Sequence, residues 1–155
     1  MLKQGKTEAQ ASGTKLWLIL WKATHSLSAH AQKSIAQLDM CTTDFAVLEV
    51  LLHKGSLPVN TIGKKVLITS GSITTAVDRL EHKGLVERFD HIQDRRVRLV
   101  RLTASGNKLI KTAFAQHEKH LNRAVSALTQ KEQNVLVDLL RKLGHGANSL
   151  LEEAK

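Results

Sequence analysis

Ser70-Gly-Ser-Ile-Thr-Thr-Ala-Val-Asp-Arg-Leu-Glu-His-Lys-Gly-Leu85, running on into Val86-Glu-Arg88, is the stretch whose reading decides the fold. Ile73, Ala76, Val77 and Leu80 recur at helical spacing, so residues 70–83 are predicted to be a helix with one buried stripe. Thr69 stands where an N-cap is needed and Gly84 where the helix must stop. The opposite side carries Ser72, Thr75 and Arg79, with Ser70, Thr74 and Asp78 beside them. Threonine is an indifferent helix former, so propensity does not explain this face. Small hydroxyls allow close approach to the floor of a DNA major groove, and arginine is the residue type that bonds guanine O6 and N7 in bidentate fashion.

Upstream, Val59, Ile62 and Val66 bury one side of a short helix, with Pro58 suited to its first turn. Only Leu67, Ile68 and Thr69 separate it from the second helix. Two short helices joined so closely must cross, which is the helix-turn-helix arrangement. Downstream, residues 85–89 and 96–102 read as a β-hairpin, with a slip in alternation at Leu99-Val100 that suggests a bulge. The connection, residues 90–95, has no glycine and is too long for a two-residue turn, so it projects as a wing. An arginine at a wing tip suits the narrow, electronegative minor groove. Asp94, two residues before Arg96, is placed to hold that guanidinium beforehand by a charge-assisted hydrogen bond.

The charge distribution points the same way. Of the formal net charge of +9, residues 59–111 contribute +6, with eleven Lys and Arg against five Asp and Glu. A basic excess concentrated on one segment is the footprint of a polyanion partner. At 155 residues, 42% hydrophobic and 24% charged, the chain reads as one globular domain. Its longest apolar run, residues 16–21, is far below the roughly 20 residues a membrane helix needs. With no apolar leader and one cysteine, Cys41, the expected compartment is the cytoplasm.

The succession quoted above, the wing triplet Asp94-Arg95-Arg96 and the sequence Leu102-Thr-Ala-Ser-Gly106 together resemble the MarR family of winged helix-turn-helix transcription regulators. The motifs cover roughly residues 42–111, and the order of elements matches over nearly the whole chain. The most specific part is the Asp-Arg-Arg wing followed by the Leu-Thr-x-x-Gly helix start. The resemblance implies a mainly α fold with a small β-hairpin wing. It also implies a single MarR-like domain over 1–155, with dimerisation helices at 14–38 and 107–151 and a DNA-binding lobe at 42–106. Ser70, Ser72, Thr74, Thr75, Asp78 and Arg79 become the recognition-helix candidates, and Asp94, Arg95 and Arg96 the wing candidates. The implied function is that of a sequence-specific double-stranded DNA-binding regulator, a homodimer on an inverted-repeat operator. In the family it is most often a repressor released by a small molecule, here an aromatic one, or by oxidation. The alternative class is a winged-helix module that binds nucleic acid without sequence preference, or binds protein.

The chain ends support a dimer independently. Residues 15–38 form a long helix whose first turns are apolar nearly all round, including Trp17 and Trp21, so it is expected to be buried on more than one face. Thr42 or Thr43 is expected to cap the next helix, which Gly55 closes. Thr103 is expected to cap a helix carrying Ile110, Phe114, His117 and Leu121. Thr129 with Glu132 forms a capping box for the last helix, which Gly144 and Gly146 should weaken. Trp17, Trp21, His25 and Phe45 are the candidates for an effector pocket.

Other chemistry finds little support. His117 and His120 have a spacing suited to a shared metal, but no carboxylate or cysteine pattern completes a site, and His117 lies on the apolar stripe. Cys41 lies at a helix start, where a thiolate is favoured, yet no basic residue adjoins it in sequence. There is no paired-carboxylate pattern and no glycine-rich phosphate loop, so neither an enzyme nor a bound cofactor or metal is expected.

Overall fold

The computed structural model describes residues 11–90 and 97–154. The wing triplet Asp94, Arg95 and Arg96 therefore lies outside the described residues. Helix α1 (Gly13–Ile35) starts at Ser12, whose hydroxyl accepts the Lys15 N–H at 3.2 Å, and runs into one 3-10 turn, Ala36–Leu38. Helices α2 (Thr42–Lys54), α3 (Val59–Val66) and α4 (Ser70–His82) follow. Strand β1 (Leu57–Pro58) lies between α2 and α3, and β2 (Val86–Asp90) and β3 (Arg98–Leu102) come after α4. Two long helices, α5 (Ala104–Ala124) and α6 (Gln130–Glu153), complete the chain. Among the described residues, no helix is long and apolar enough to cross a membrane.

The core lies in the middle of the chain. Leu48, Ile62, Ile73, Leu80, Val86, Val100 and Ile110 are fully buried, and Phe45, Leu51 and Ala113 close around them. Every element from α2 to α5 contributes, which makes the helix-turn-helix, the sheet and the start of α5 one packed unit. In the turn between α3 and α4, Leu67 adopts a left-handed conformation with φ 57° and its side chain is almost fully exposed. Gly63 sits where a Cβ would stand 3.1 Å from Ile73 Cγ2, so the two helices cross at close range.

Several boundaries differ from the sequence reading, each for a local reason. Helix α2 is capped by Cys41 without a side-chain hydrogen bond, and Thr42 is its first helical residue. Pro58 is extended, with ψ 145°, and caps α3 from outside because its other neighbour is a sheet. That sheet has three strands in the order β1-β3-β2, all antiparallel. No bulge occurs at Leu99-Val100, since β2 and β3 pair without a skip from Val86 opposite Leu102 to Asp90 opposite Arg98. The irregular alternation reflects β1, whose Leu57 and Pro58 pair with Val100 and Leu99 on the other edge. Gly144 and Gly146 do not interrupt α6, which is helical through both. Each glycine costs such a helix about 1 kcal/mol relative to alanine, less than the surrounding turns supply.

The Leu-Thr-x-x-Gly sequence has a steric cause. Thr103 Oγ1 accepts the Gly106 N–H at 3.0 Å and donates to the Gly84 carbonyl at 2.7 Å, and Ser105 donates to the same carbonyl at 2.9 Å. The first turn of α5 is thereby pinned to the end of α4. A Cβ on Gly106 would stand 1.9 Å from the Leu85 carbonyl oxygen, a backbone atom that cannot swing aside. Gly106→Ala is expected to lower unfolding free energy by about 1–3 kcal/mol in urea titration, the usual cost of overpacking a close contact. An unchanged midpoint would mean that α5 has room to shift.

At the other end, Thr129 and Glu132 form the reciprocal capping box of α6, with the Thr129 N–H donating to Glu132 Oε2 at 2.7 Å. That N–H, and next the Thr129 hydroxyl, hold the Glu132 carboxyl below its ordinary value of 4.5. A carboxylate whose folded pKa is depressed contributes stability above its unfolded pKa and loses it as pH falls through the folded one. The stability difference between the protein and Glu132→Gln is therefore expected to be full near neutrality and to shrink below about pH 4.5. A difference independent of pH would contradict the charged cap.

Candidate nucleic-acid interface

Helix α4 presents the outward face foreseen from its spacing. Ile73, Ala76, Val77 and Leu80 are buried, while Ser70, Gly71, Ser72, Thr74, Thr75, Asp78 and Arg79 are exposed. Thr69 caps the helix by accepting the Ser72 N–H at 3.3 Å, and it donates to Ser72 Oγ at 2.9 Å. Thr74 and Thr75 donate to the carbonyls of Ser70 and Gly71 at 3.0 and 3.1 Å. These back-bonds hold both side chains in one rotamer against the helix.

Both flanks of α4 are fixed by ion pairs. On one side Arg79 donates from Nη2 to Asp44 Oδ1 at 2.6 Å and from Nε to Oδ2 at 3.3 Å. Asp44 is buried in the first turns of α2, so this fork-on-carboxylate contact ties the two helices together. The hydrogen bonds and then the charge of Asp44 hold the guanidinium above its ordinary pKa. Cys41 Sγ also lies 3.5 Å from Nη2, so the basic neighbour that the sequence around Cys41 lacks is supplied by α4. Asp44 thus takes the Nε–Nη2 edge of Arg79 and Cys41 adjoins Nη2, while Nη1 makes no hydrogen bond among the described residues. Sequence reasoning missed Asp44 because its partner lies 35 residues away.

On the other side Arg88, from β2, reaches back to α4. Its Nη2 donates to Asp78 Oδ1 at 2.5 Å, its Nη1 pairs with Glu81 Oε2, and its backbone N–H donates to Glu81 Oε1 at 3.1 Å. Burial works against the charge of this guanidinium, but the hydrogen bonds to Asp78 and Glu81 outweigh it and keep the group above its ordinary pKa. Asp78 is thus a structural partner of the hairpin as well as a member of the exposed face. Further out, Arg101 pairs with Glu87 at 2.7 Å and lies over the Phe89 ring at 4.7 Å, and Arg98 stands 3.6 Å from Asp90. Lys64 and Lys65 of α3 make no ion pair among the described residues.

Of the expected effector residues, Trp21 and His25 share one shallow concavity, and neither Trp17 nor Phe45 lines it. Phe45 is buried in the core, 4.8 Å ring to ring from His117, because α2 needs its bulk to fill the junction with α5. Trp17 and Trp21 are 68% and 61% exposed on α1, and the shallow concavity beside Trp21 is lined only by Lys22, His25 and Ser26 of the same helix. His117 is buried with Nδ1 2.6 Å from Ser34 Oγ, whose proton goes to the Ala31 carbonyl, so the ring donates from Nδ1. His120 is exposed. Among the described residues, no group of three or more His, Cys, Asp or Glu is arranged to hold a metal.

Comparison with known proteins agrees with this geometry. A family profile described as the MarR family matches residues 42–97, the segment from α2 to the hairpin. The HTH-type transcriptional regulator MhqR of Bacillus subtilis (strain 168) is 38% identical over 133 residues, which span 86% of this chain and 92% of that protein. The chain belongs to the MarR family. Among solved structures, a mutant MarR from E. coli complexed with operator DNA superposes with a TM-score of 0.74 at 25% identity, covering 83% of this chain and 92% of that one. A probable transcriptional regulator from Pseudomonas aeruginosa gives 0.72 at 27% identity, covering 83% and 96%. The Asp44–Arg79 and Arg88–Asp78/Glu81 pairs are thus the means by which this MarR-family chain fixes α4 in its lobe.

If Arg79 acts through Asp44, the two losses must overlap. Asp44→Asn and Arg79→Gln are each expected to lower the melting temperature, and the double variant to fall by clearly less than their sum. Additive losses would remove the pair as a link between α2 and α4.

Proposed function

We propose that the chain is a sequence-specific double-stranded DNA-binding transcription regulator, acting as a homodimer on an inverted repeat. The observation that carries the reading is α4. Its exposed face is small, hydroxylated and held rigidly on both flanks, as a helix entering a major groove requires. Ser70, Ser72, Thr74 and Thr75 form the contact face, with Asp78 and Arg79 setting its edges. Asp94, Arg95 and Arg96, which lie between β2 and β3 in the sequence, form a second contact in the adjoining minor groove. That the similar E. coli MarR mutant is complexed with operator DNA supports DNA binding.

Homodimerisation is the second part of the proposal. Leu16, Trp17, Ile19 and Trp21 of α1 and Val135, Leu139, Leu143 and Leu150 of α6 are about half exposed or more in the single chain. Apolar surface of this extent on both terminal helices marks an interface. Two copies joined there set the distance between two α4 helices, about 34 Å for successive major grooves on one side of a duplex. Regulation then consists of repression relieved by a small molecule or an oxidant that favours a dimer with a different α4 spacing.

Selection of bound duplexes from a randomised library tests the reading. The expected product is an inverted repeat with half-site centres about 10 base pairs apart, bound with a steep inverse dependence on salt. Equal binding to all sequences would contradict it and favour a non-specific module. On the selected operator, Arg96→Ala is expected to weaken binding and Asp94→Ala to remove part of the same increment.

A further inference from the structure

Within the proposed reading of α4, the hydrogen-bond inventory of its face restricts what it can recognise. A base edge in the major groove is distinguished by acceptors on guanine, a donor on cytosine, a donor and an acceptor on adenine, and an acceptor with a methyl group on thymine. Arg79, the one side chain of the face suited to guanine, has its Nε–Nη2 edge on Asp44 and Nη2 also 3.5 Å from Cys41 Sγ, which leaves Nη1, not a two-nitrogen fork, for a base. Asp78, the one carboxylate suited to the cytosine amino group, has Oδ1 on Arg88 at 2.5 Å and keeps only Oδ2 for a base. Releasing Arg79 would leave Asp44 buried without its partner, whereas Arg88 would keep Glu81.

The threonines are constrained in a different way. The hydroxyl protons of Thr74 and Thr75 go to the carbonyls four residues earlier, so neither hydroxyl is a donor toward a base. What each still offers is an acceptor oxygen and a methyl group. Gly71, one turn before Thr75, has no side chain, and nothing of the protein lies within 4 Å of where its Cβ would be. Close approach of the helix backbone is therefore open at the position where the Thr75 methyl needs it. Ser70 and Ser72 keep their hydroxyl protons among the described residues. They stand in the first turn of α4, where N–H groups and hydroxyls suit phosphate.

We infer that Thr74 and Thr75 are specificity-determining residues that read thymine C5-methyl groups, so the operator half-site is selected by apolar contact and not by a bidentate arginine. This rests on α4 being the DNA-reading element. Burying one methyl stabilises a contact by about 0.8 kcal/mol, which corresponds to roughly four-fold in affinity.

The test uses the full chain and its selected operator, with each half-site thymidine replaced in turn by deoxyuridine, which lacks only the C5-methyl. Replacement at one or two positions is expected to weaken binding about four-fold each, by the same methyl transfer value. Thr74→Ser or Thr75→Ser, which delete the methyl and keep the hydroxyl, should weaken binding to the thymidine operator and cause no further loss on the deoxyuridine one. Thr75→Val, which keeps a methyl and loses the hydroxyl, should retain the thymidine preference. If the protein binds its operator specifically but ignores deoxyuridine, methyl reading is overturned while the regulator reading stands. If deoxyuridine weakens binding and the serine losses add to it in full, the methyls are read by other residues. If the library yields no preferred sequence at all, the regulator reading itself fails and this inference fails with it.

Discussion

The two terminal helices leave much of their apolar surface unburied, and that constraint governs the rest. The first turns of α1 and almost the whole of α6 project leucines, valines and both tryptophans outward, and no residue of α6 is buried. A helix of 24 residues gains most of its stability from packing an amphipathic face, not from propensity. The proposed dimer supplies that packing. It also makes the separation of two DNA lobes a property of the terminal helices, so any ligand that repacks them changes the spacing of the two α4 copies.

The lobe itself has the opposite character. Its core is closed, and α4 is held from two directions by pairs that differ in role. Arg79 connects α4 to a buried carboxylate in α2, and Arg88 connects it to β2. Thr103, Ser105 and Gly106 fasten the start of α5 to the end of α4 through the Gly84 and Leu85 carbonyls. Movement of α5 is therefore transmitted to the helix that faces outward. A helix held in this way loses little side-chain and backbone freedom if it binds a partner, which favours affinity without added contacts.

Much of this was legible in the sequence because it rests on local rules. Periodicity located every long helix, and Thr69, Thr103 and Thr129 cap the helices they were expected to cap. The mainly α winged fold followed from the order of those elements. Local rules failed where a distant segment intervened. Strand β1 is two residues long and exists only because β3 lies beside it, so no run of residues announces it. Cys41 caps α2 in place of Thr42 because the chain arrives there from a left-handed Asp39. Phe45, named for an effector pocket through the family resemblance, has its ring 4.8 Å from that of His117 at the α2–α5 junction. The partners of Arg79 and Asp78 were equally hidden, since a charge on a helix face does not reveal which carboxylate or guanidinium the fold will bring to it. Residue types on α4 thus identify the face, while the hydrogen bonds decide which of its groups remain available to a partner.

Sedimentation equilibrium of the full chain, alone and with Leu139→Glu and Leu143→Glu on α6, tests most directly whether the terminal helices depend on a second copy. The expected particle has twice the 17.1 kDa mass of the chain, and the doubly charged variant falls toward the monomer mass while losing helix signal and operator affinity together. A wild-type monomer that keeps its full helix content and binds its operator would contradict the account.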